Sequence, residues 1–195
     1  MERASAYDQN FEDARRRLLD LFKSRALFFG NFTLASGKQS TYYINSKKAI
    51  FKAEAVWLLG EVIYQMTRTM NLHAIGGPEV GAIPMATAAA IRYHEHGQSI
   101  EAFYVRKQAK GHGSKEMVEG IVRPGDKVAM LDDVLTTGGS VLQAIREVER
   151  LDARIAAVIC IVDRLEGARE ALGHYNFLPI FTIRDFGIEP TDITI

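Results

Sequence analysis

The sequence is nearly without cysteine and has no excess charge of either sign. Cys160 is its only cysteine and sits in the apolar run AAVICIV. A disulfide framework and a cysteine metal site are therefore excluded, and a reducing compartment, the cytoplasm, is expected. Lys and Arg number 24 against 24 Asp and Glu, so bulk electrostatics give no support for sequence-independent nucleic-acid binding. No run of about 18 or more apolar residues occurs, and the polar start MERASAYDQNFEDARRR has no apolar core for a signal peptide. Internal repeats, low-complexity tracts and linkers are also missing. A length of 195 residues with 47% hydrophobic content suits one α/β domain with one core, expected to span residues 1–195.

What is present is a rhythm. Residues 11–27 carry apolar positions at helical spacing among charges, and residues 32–45, FTLASGKQSTYYIN, place two β-prone stretches around a turn. A long helix is predicted over 53–70, with Gly60 as its weak point. Strands are then predicted over 74–77, 101–106, 127–132, 155–163 and 181–183, with helices over 83–96, 140–151 and 167–172. Strands alternating with helices imply right-handed crossovers and a mainly parallel sheet flanked by helices, with ligands bound beyond the carboxyl ends of the strands. About the first 50 residues stand apart from this rhythm and are expected to form a small N-terminal hood.

The strongest chemical signal is residues 128–140, VAMLDDVLTTGGS. Glycines allow a tight turn with N–H groups pointing inward, hydroxyls add donors, and the following helix supplies its positive end, which together make a phosphate cradle. Two adjacent carboxylates before it suit a ligand with vicinal hydroxyls, or Mg²⁺ held through water. A ribose 5-phosphate satisfies both halves. This string resembles the hallmark of the type I phosphoribosyltransferases. The resemblance implies that Asp132 and Asp133 bind the ribose hydroxyls of phosphoribosyl pyrophosphate (PRPP), and that Thr136, Thr137, Gly138, Gly139 and Ser140 hold its 5-phosphate, with Val134 and Leu135 completing the contact. Mg²⁺ is the implied cofactor, carried mainly by PRPP.

Three further segments bear on the acceptor. The polar stretch RKQAKGHG, residues 106–113, gathers Arg106, Lys107, Lys110 and His112 where no core would place them. It is either a solvated surface loop or a loop that closes over a polyanion, and late engagement of departing pyrophosphate would lower the barrier. It is similar to the catalytic loop of orotate phosphoribosyltransferases. The resemblance implies catalytic roles for Lys110, Arg106 and His112 together with Asp133, PRPP contacts from Lys107, and a homodimer in which residues 106–119 reach the neighbouring site. The segment 32–47, FTLASGKQSTYYINSK, resembles the N-terminal signature of that family, with Tyr43 and Ile44 against a flat base; two hairpin tyrosines on a small core are the alternative. In IVDRLEG, Arg164 is either a surface ion-pair partner or, as the resemblance implies, the fork that holds the carboxylate of orotate, with Thr136 nearby.

Glu79, Val80 and Gly81, within GGPEVGAIPMA, resemble the pyrophosphate-binding turn of the same family, although many relatives carry lysine where this chain has Gly81 and Ala35. The activity implied is Mg²⁺-dependent transfer of ribose 5-phosphate from PRPP to orotate. A different acceptor base, or a regulator of the same fold that senses nucleotides without catalysis, remains the alternative. The histidines at 73, 94, 96 and 174 have no metal-ligand spacing.

Overall fold

Helix α1 (Ala6–Arg25) buries Ala14, Leu18 and Phe22, one residue per turn, so that a single stripe faces inward. The structure is a computed structural model and describes residues 6–33, 39–108 and 116–190. α1 ends two residues before Leu27, which opens strand β1 (Leu27–Thr33). β1 pairs antiparallel with β2 (Gln39–Ile44), forming the hairpin expected from the sequence, as a two-stranded sheet of its own. A short helix that the sequence pattern does not announce, α2 (Lys47–Ile50), leads into α3 (Ala53–Thr67).

The main sheet has six strands in the order β5-β4-β3-β6-β7-β8. They are β3 (Ala74–Pro78), β4 (Glu101–Val105), β5 (Val118–Glu119), β6 (Lys127–Leu135), β7 (Arg154–Asp163) and β8 (Phe177–Thr182). Only the β4–β5 pairing is antiparallel. The crossovers are α4 (Ala82–Glu95), α5 (Gly139–Glu149) and α6 (Ala168–Ala171). The order reverses between β3 and β6, which opens a crevice at the carboxyl ends of these two strands.

Two apolar clusters cover the sheet. One joins α1, α3 and α4 to Ile75, Leu131, Ile159 and Ile161, and the other joins α5 to Met130, Val158 and Cys160. Alternate residues of β6 and β7 thus face opposite layers, as a strand buried on both sides requires. Gly60, the weak point of α3, lies where that helix crosses α4: a Cβ there would fall 2.7 Å from the Ala88 carbonyl oxygen. Beside it a buried Glu61 accepts hydrogen bonds from Arg92 of α4, Asn10 and Gln65, which satisfy its charge.

Several elements differ from expectation, among them two strand boundaries and one further strand. The last strand runs over Phe177–Thr182 rather than 181–183. Its Pro179 is tolerated because β8 is an edge strand, where a missing N–H can face away from the ladder. β6 continues to Leu135 rather than stopping at Asp132, because its ladder with β7 extends to the pair Leu135 and Asp163. β5 was not legible because two residues carry no period.

Candidate active site

The acidic pair sits inside β6, at the switch point, and both carboxyl groups are largely buried. Asp132 accepts from the Asp133 N–H at 2.9 Å and from the Ser140 hydroxyl at 3.1 Å, so the start of α5 is tied to the strand that precedes it. Asp133 accepts from the Ser46 hydroxyl, from Lys47 Nζ at 2.9 Å and from the Val134 N–H at 3.0 Å. Ser46 and Lys47 belong to α2 and the residue before it, so this carboxylate is one of the points that pin the N-terminal part to the sheet. The two aspartates titrate differently as a result. Burial, reinforced by the Asp133 charge, pushes Asp132 up to about 7. Burial also pushes Asp133 upward, but the Ser46 hydroxyl and the Lys47 ammonium more than offset it and hold Asp133 below the ordinary carboxylate range.

Thr136, Thr137 and Gly138 turn the chain from β6 into α5. Gly138 has φ +79°, a left-handed conformation that costs a glycine nothing. No side chain caps α5 and no acidic residue occupies its first turn, so its leading N–H groups and the exposed Thr137, Gly139 and Ser140 face outward, available to an anion.

The turn after β3 closes a second side. Glu79 accepts from the Lys107 N–H at 2.9 Å and donates its own N–H to Val105, which couples residues 79–81 to the end of β4. The Glu79–Val80 peptide bond is cis. Gly81 lies against Asp133: a Cβ built on it would stand 2.5 Å from the Asp133 Cγ. Arg106 donates its N–H to Met117 at 2.8 Å and approaches Glu119 at 3.7 Å, so the basic loop leaves and re-enters the sheet between β4 and β5. Arg106, Lys107 and Ser140 line one cavity of about 440 Å³ whose far wall is the face of α5 from Gln143 to its C-cap Arg150, so the first two loop cations reach the edge of the cradle at Ser140. Lys110 and His112 lie outside the described residues.

Arg164 follows β7 and donates its N–H to the Leu135 carbonyl at 2.9 Å, which sets it next to the cradle. Its side chain is buried: Nε donates to the Tyr42 hydroxyl at 3.1 Å, the guanidinium lies 4.6 Å from the Tyr42 ring centroid, and Glu166 pairs with it at 2.8 Å. Of the two adjacent tyrosines, Tyr42 thus holds the arginine while Tyr43 is 41% exposed with its ring against Phe32. Ile44 is buried at the end of β2. Sequence alone attaches no role to Lys47, Ser46, Tyr42 or Glu166. The lysine and serine stand just beyond the aromatic signature, but nothing in the linear order places them on an aspartate 86 and 87 residues away.

Among the described residues no group of three or more His, Cys, Asp or Glu could hold a metal ion. Both aspartates already accept hydrogen bonds from the protein, so a divalent cation fits here through water or on ligand phosphates rather than in a protein cage. No helix among them is long and apolar enough to cross a membrane.

Comparison with known proteins agrees with this geometry. A phosphoribosyl transferase domain matches residues 48–190. The orotate phosphoribosyltransferase of Thermococcus kodakarensis is 42% identical over 89% of this chain and 93% of its own length. The crystal structure of Mycobacterium tuberculosis orotate phosphoribosyltransferase with Fe(III) dicitrate superposes with a TM-score of 0.78 at 32% identity, covering 90% of this chain and 99% of that one. The same enzyme in complex with PRPP gives 0.75 at 29% identity, with the same coverage. An acidic pair at the switch point, a glycine cradle behind it and this degree of likeness place the chain in the phosphoribosyl transferase family.

Proposed function

We propose that this protein transfers ribose 5-phosphate from PRPP to N1 of orotate, forming orotidine 5-phosphate and pyrophosphate in pyrimidine biosynthesis. The observation that carries the choice of acceptor is Arg164, a buried guanidinium beside the cradle that Tyr42 holds at Nε and Glu166 at Nη2, which aims its remaining N–H groups for the carboxylate of the base. Asp132 and Asp133 orient the ribose hydroxyls, and residues Thr136 to Ser140 with the start of α5 hold the 5-phosphate. Orotate N1 forms the new bond at C1 as the C1–O bond to pyrophosphate breaks, and the N1 proton, acidic in the free base, passes to water or to the departing pyrophosphate, so no strong protein general base is required. Arg106, Lys107, Lys110 and His112 gather on the leaving pyrophosphate and exclude water from the ribosyl centre. Mg²⁺, carried on the diphosphate, supplies further charge neutralisation when bound.

The working form in this reading is a cytoplasmic homodimer, with residues 106–119 completing the partner's site. Purified protein with Mg²⁺ and PRPP is expected to consume orotate absorbance and to leave uracil and adenine unchanged. Equal turnover of a base without a carboxylate overturns the acceptor assignment. Mixing Lys110→Ala with Asp133→Asn chains tests the shared loop, because one intact site per mixed dimer restores activity only if the loop crosses the interface.

A further inference from the structure

Lys47 presents an unusual pairing. Its Nζ lies 2.9 Å from Asp133 Oδ2, yet its side chain is 53% exposed against 12% for the aspartate. Water screens the ammonium from one side, so this pair contributes less to stability than a fully buried one. Asp133 itself is already supported by the Ser46 hydroxyl and the Val134 N–H. Among the described residues Lys47 is the one cation paired with the acidic pair.

The second observation is Gly81, on the other side of the same carboxylate. It is the N-cap of α4, with φ −64° and ψ −37°, a conformation any residue adopts, so its backbone angles do not call for glycine. The constraint is steric: a Cβ would stand 2.5 Å from Asp133 Cγ and 2.7 and 2.8 Å from its two oxygens. Position 81 therefore offers the ligand its backbone and no charge, and a side chain there would require the Asp133 carboxylate to shift. In PRPP the diphosphate hangs on C1, next to the hydroxyl on C2. A carboxylate that accepts from the ribose hydroxyls thus has the diphosphate a few bonds away, and a lysine on that carboxylate reaches it by changing rotamer along its flexible stem.

We propose that Lys47 is a donor-binding residue whose ammonium neutralises Asp133 in the free protein and moves to the diphosphate of PRPP, or to free pyrophosphate, when either occupies the turn beside Gly81. This rests on the assignment of the 79–81 turn and the acidic pair to PRPP, and is independent of the acceptor base. No bond forms at Lys47. Its contribution is a positive charge beside a turn that carries none of its own.

Calorimetric binding of PRPP, pyrophosphate and ribose 5-phosphate, each with Mg²⁺ and no acceptor, tests the proposal. Lys47→Gln keeps a hydrogen-bond donor for Asp133 and removes only the charge. It is expected to weaken PRPP and pyrophosphate by ~10-fold or more, as loss of one charge-assisted contact predicts, and to leave ribose 5-phosphate within about 2-fold, while Lys47→Arg stays near wild type. Ser46→Ala, which loosens Asp133 without removing a charge, should instead weaken PRPP and ribose 5-phosphate alike and pyrophosphate not at all. If Lys47→Gln follows that Ser46→Ala pattern, or changes nothing, the proposal is overturned, because Lys47 then acts only through Asp133 or not at all. Wild-type protein that binds no PRPP overturns the donor reading and this inference together, whereas failure with orotate alone overturns neither.

Discussion

Replacing Tyr42 with phenylalanine isolates the contact on which acceptor choice depends. Tyr42 is 2% exposed and its hydroxyl accepts from Arg164 Nε at 3.1 Å, while its ring lies under the guanidinium. Phenylalanine keeps the ring and the cation–π contact and deletes only the oxygen. A hydrogen bond to a charged group contributes about 1.5–3 kcal/mol, and here its loss leaves a buried Nε without its acceptor. For a chain of this size, with roughly 2–4 °C of Tm per kcal/mol, the melting temperature should fall by about 3–12 °C. Glu166 still holds the guanidinium from one side, so Arg164 stays in the site but loses its aim. KM for orotate should then rise by about tenfold, equivalent to roughly 1.4 kcal/mol, with KM for PRPP unchanged. Steady-state kinetics on Tyr42→Phe, Arg164→Ala and the double variant check this as a cycle. The two losses should be strongly non-additive, since the hydroxyl acts through the arginine. Additive effects, or an unchanged KM for orotate at a lowered Tm, would refute a positioning role and leave Tyr42 as core packing.

Other outcomes rest on the same geometry. Asp132 has its pKa raised to about 7 from 3.8, so the folded chain keeps a proton that the unfolded chain has released. Stability from this group is full below about pH 4 and declines as pH rises to about 7, by a few kcal/mol at most. Asp132→Asn should flatten that part of a pH series of denaturant melts, and an unchanged slope would show that the aspartate is not buried as described. Gly81→Ala, whose backbone angles alanine can adopt, should displace Asp133 and weaken PRPP binding by ~10-fold or more, as loss of one charged hydrogen bond predicts. Wild-type PRPP affinity in calorimetry would contradict the contact. Arg92→Leu leaves buried Glu61 without its cation and should cost about 3 kcal/mol or more of stability with both KM values unchanged, measurable by urea unfolding.

Much of the molecule could be read along the chain. The alternation of apolar strands and amphipathic helices announced a parallel sheet with ligands at its carboxyl end, and VAMLDDVLTTGGS announced a phosphate cradle, because each depends on residues adjacent in sequence. Glycine turns, helix starts and paired carboxylates are local devices, and local order specifies them. The end of the strand was less legible: β6 was expected to stop at Asp132 and instead takes in Asp133 through Leu135, because strand length is set by the ladder with β7, a partner more than 20 residues away.

What only the tertiary structure decided are contacts between distant segments that share a charge or a surface. Sequence could not choose between Tyr42 and Tyr43, since alternation says that one faces in but not which. The fold sends Tyr42 under Arg164, 122 residues on, and leaves Tyr43 half exposed. It could not distinguish Lys47 from any other exposed lysine, nor explain Gly81 by conformation, since its φ is one that any residue adopts. Both acquire meaning at the Asp133 carboxylate, where the hood, the turn after β3 and the end of β6 meet. The pKa difference between two adjacent aspartates arises in the same place, because burial and partners are properties of position in space.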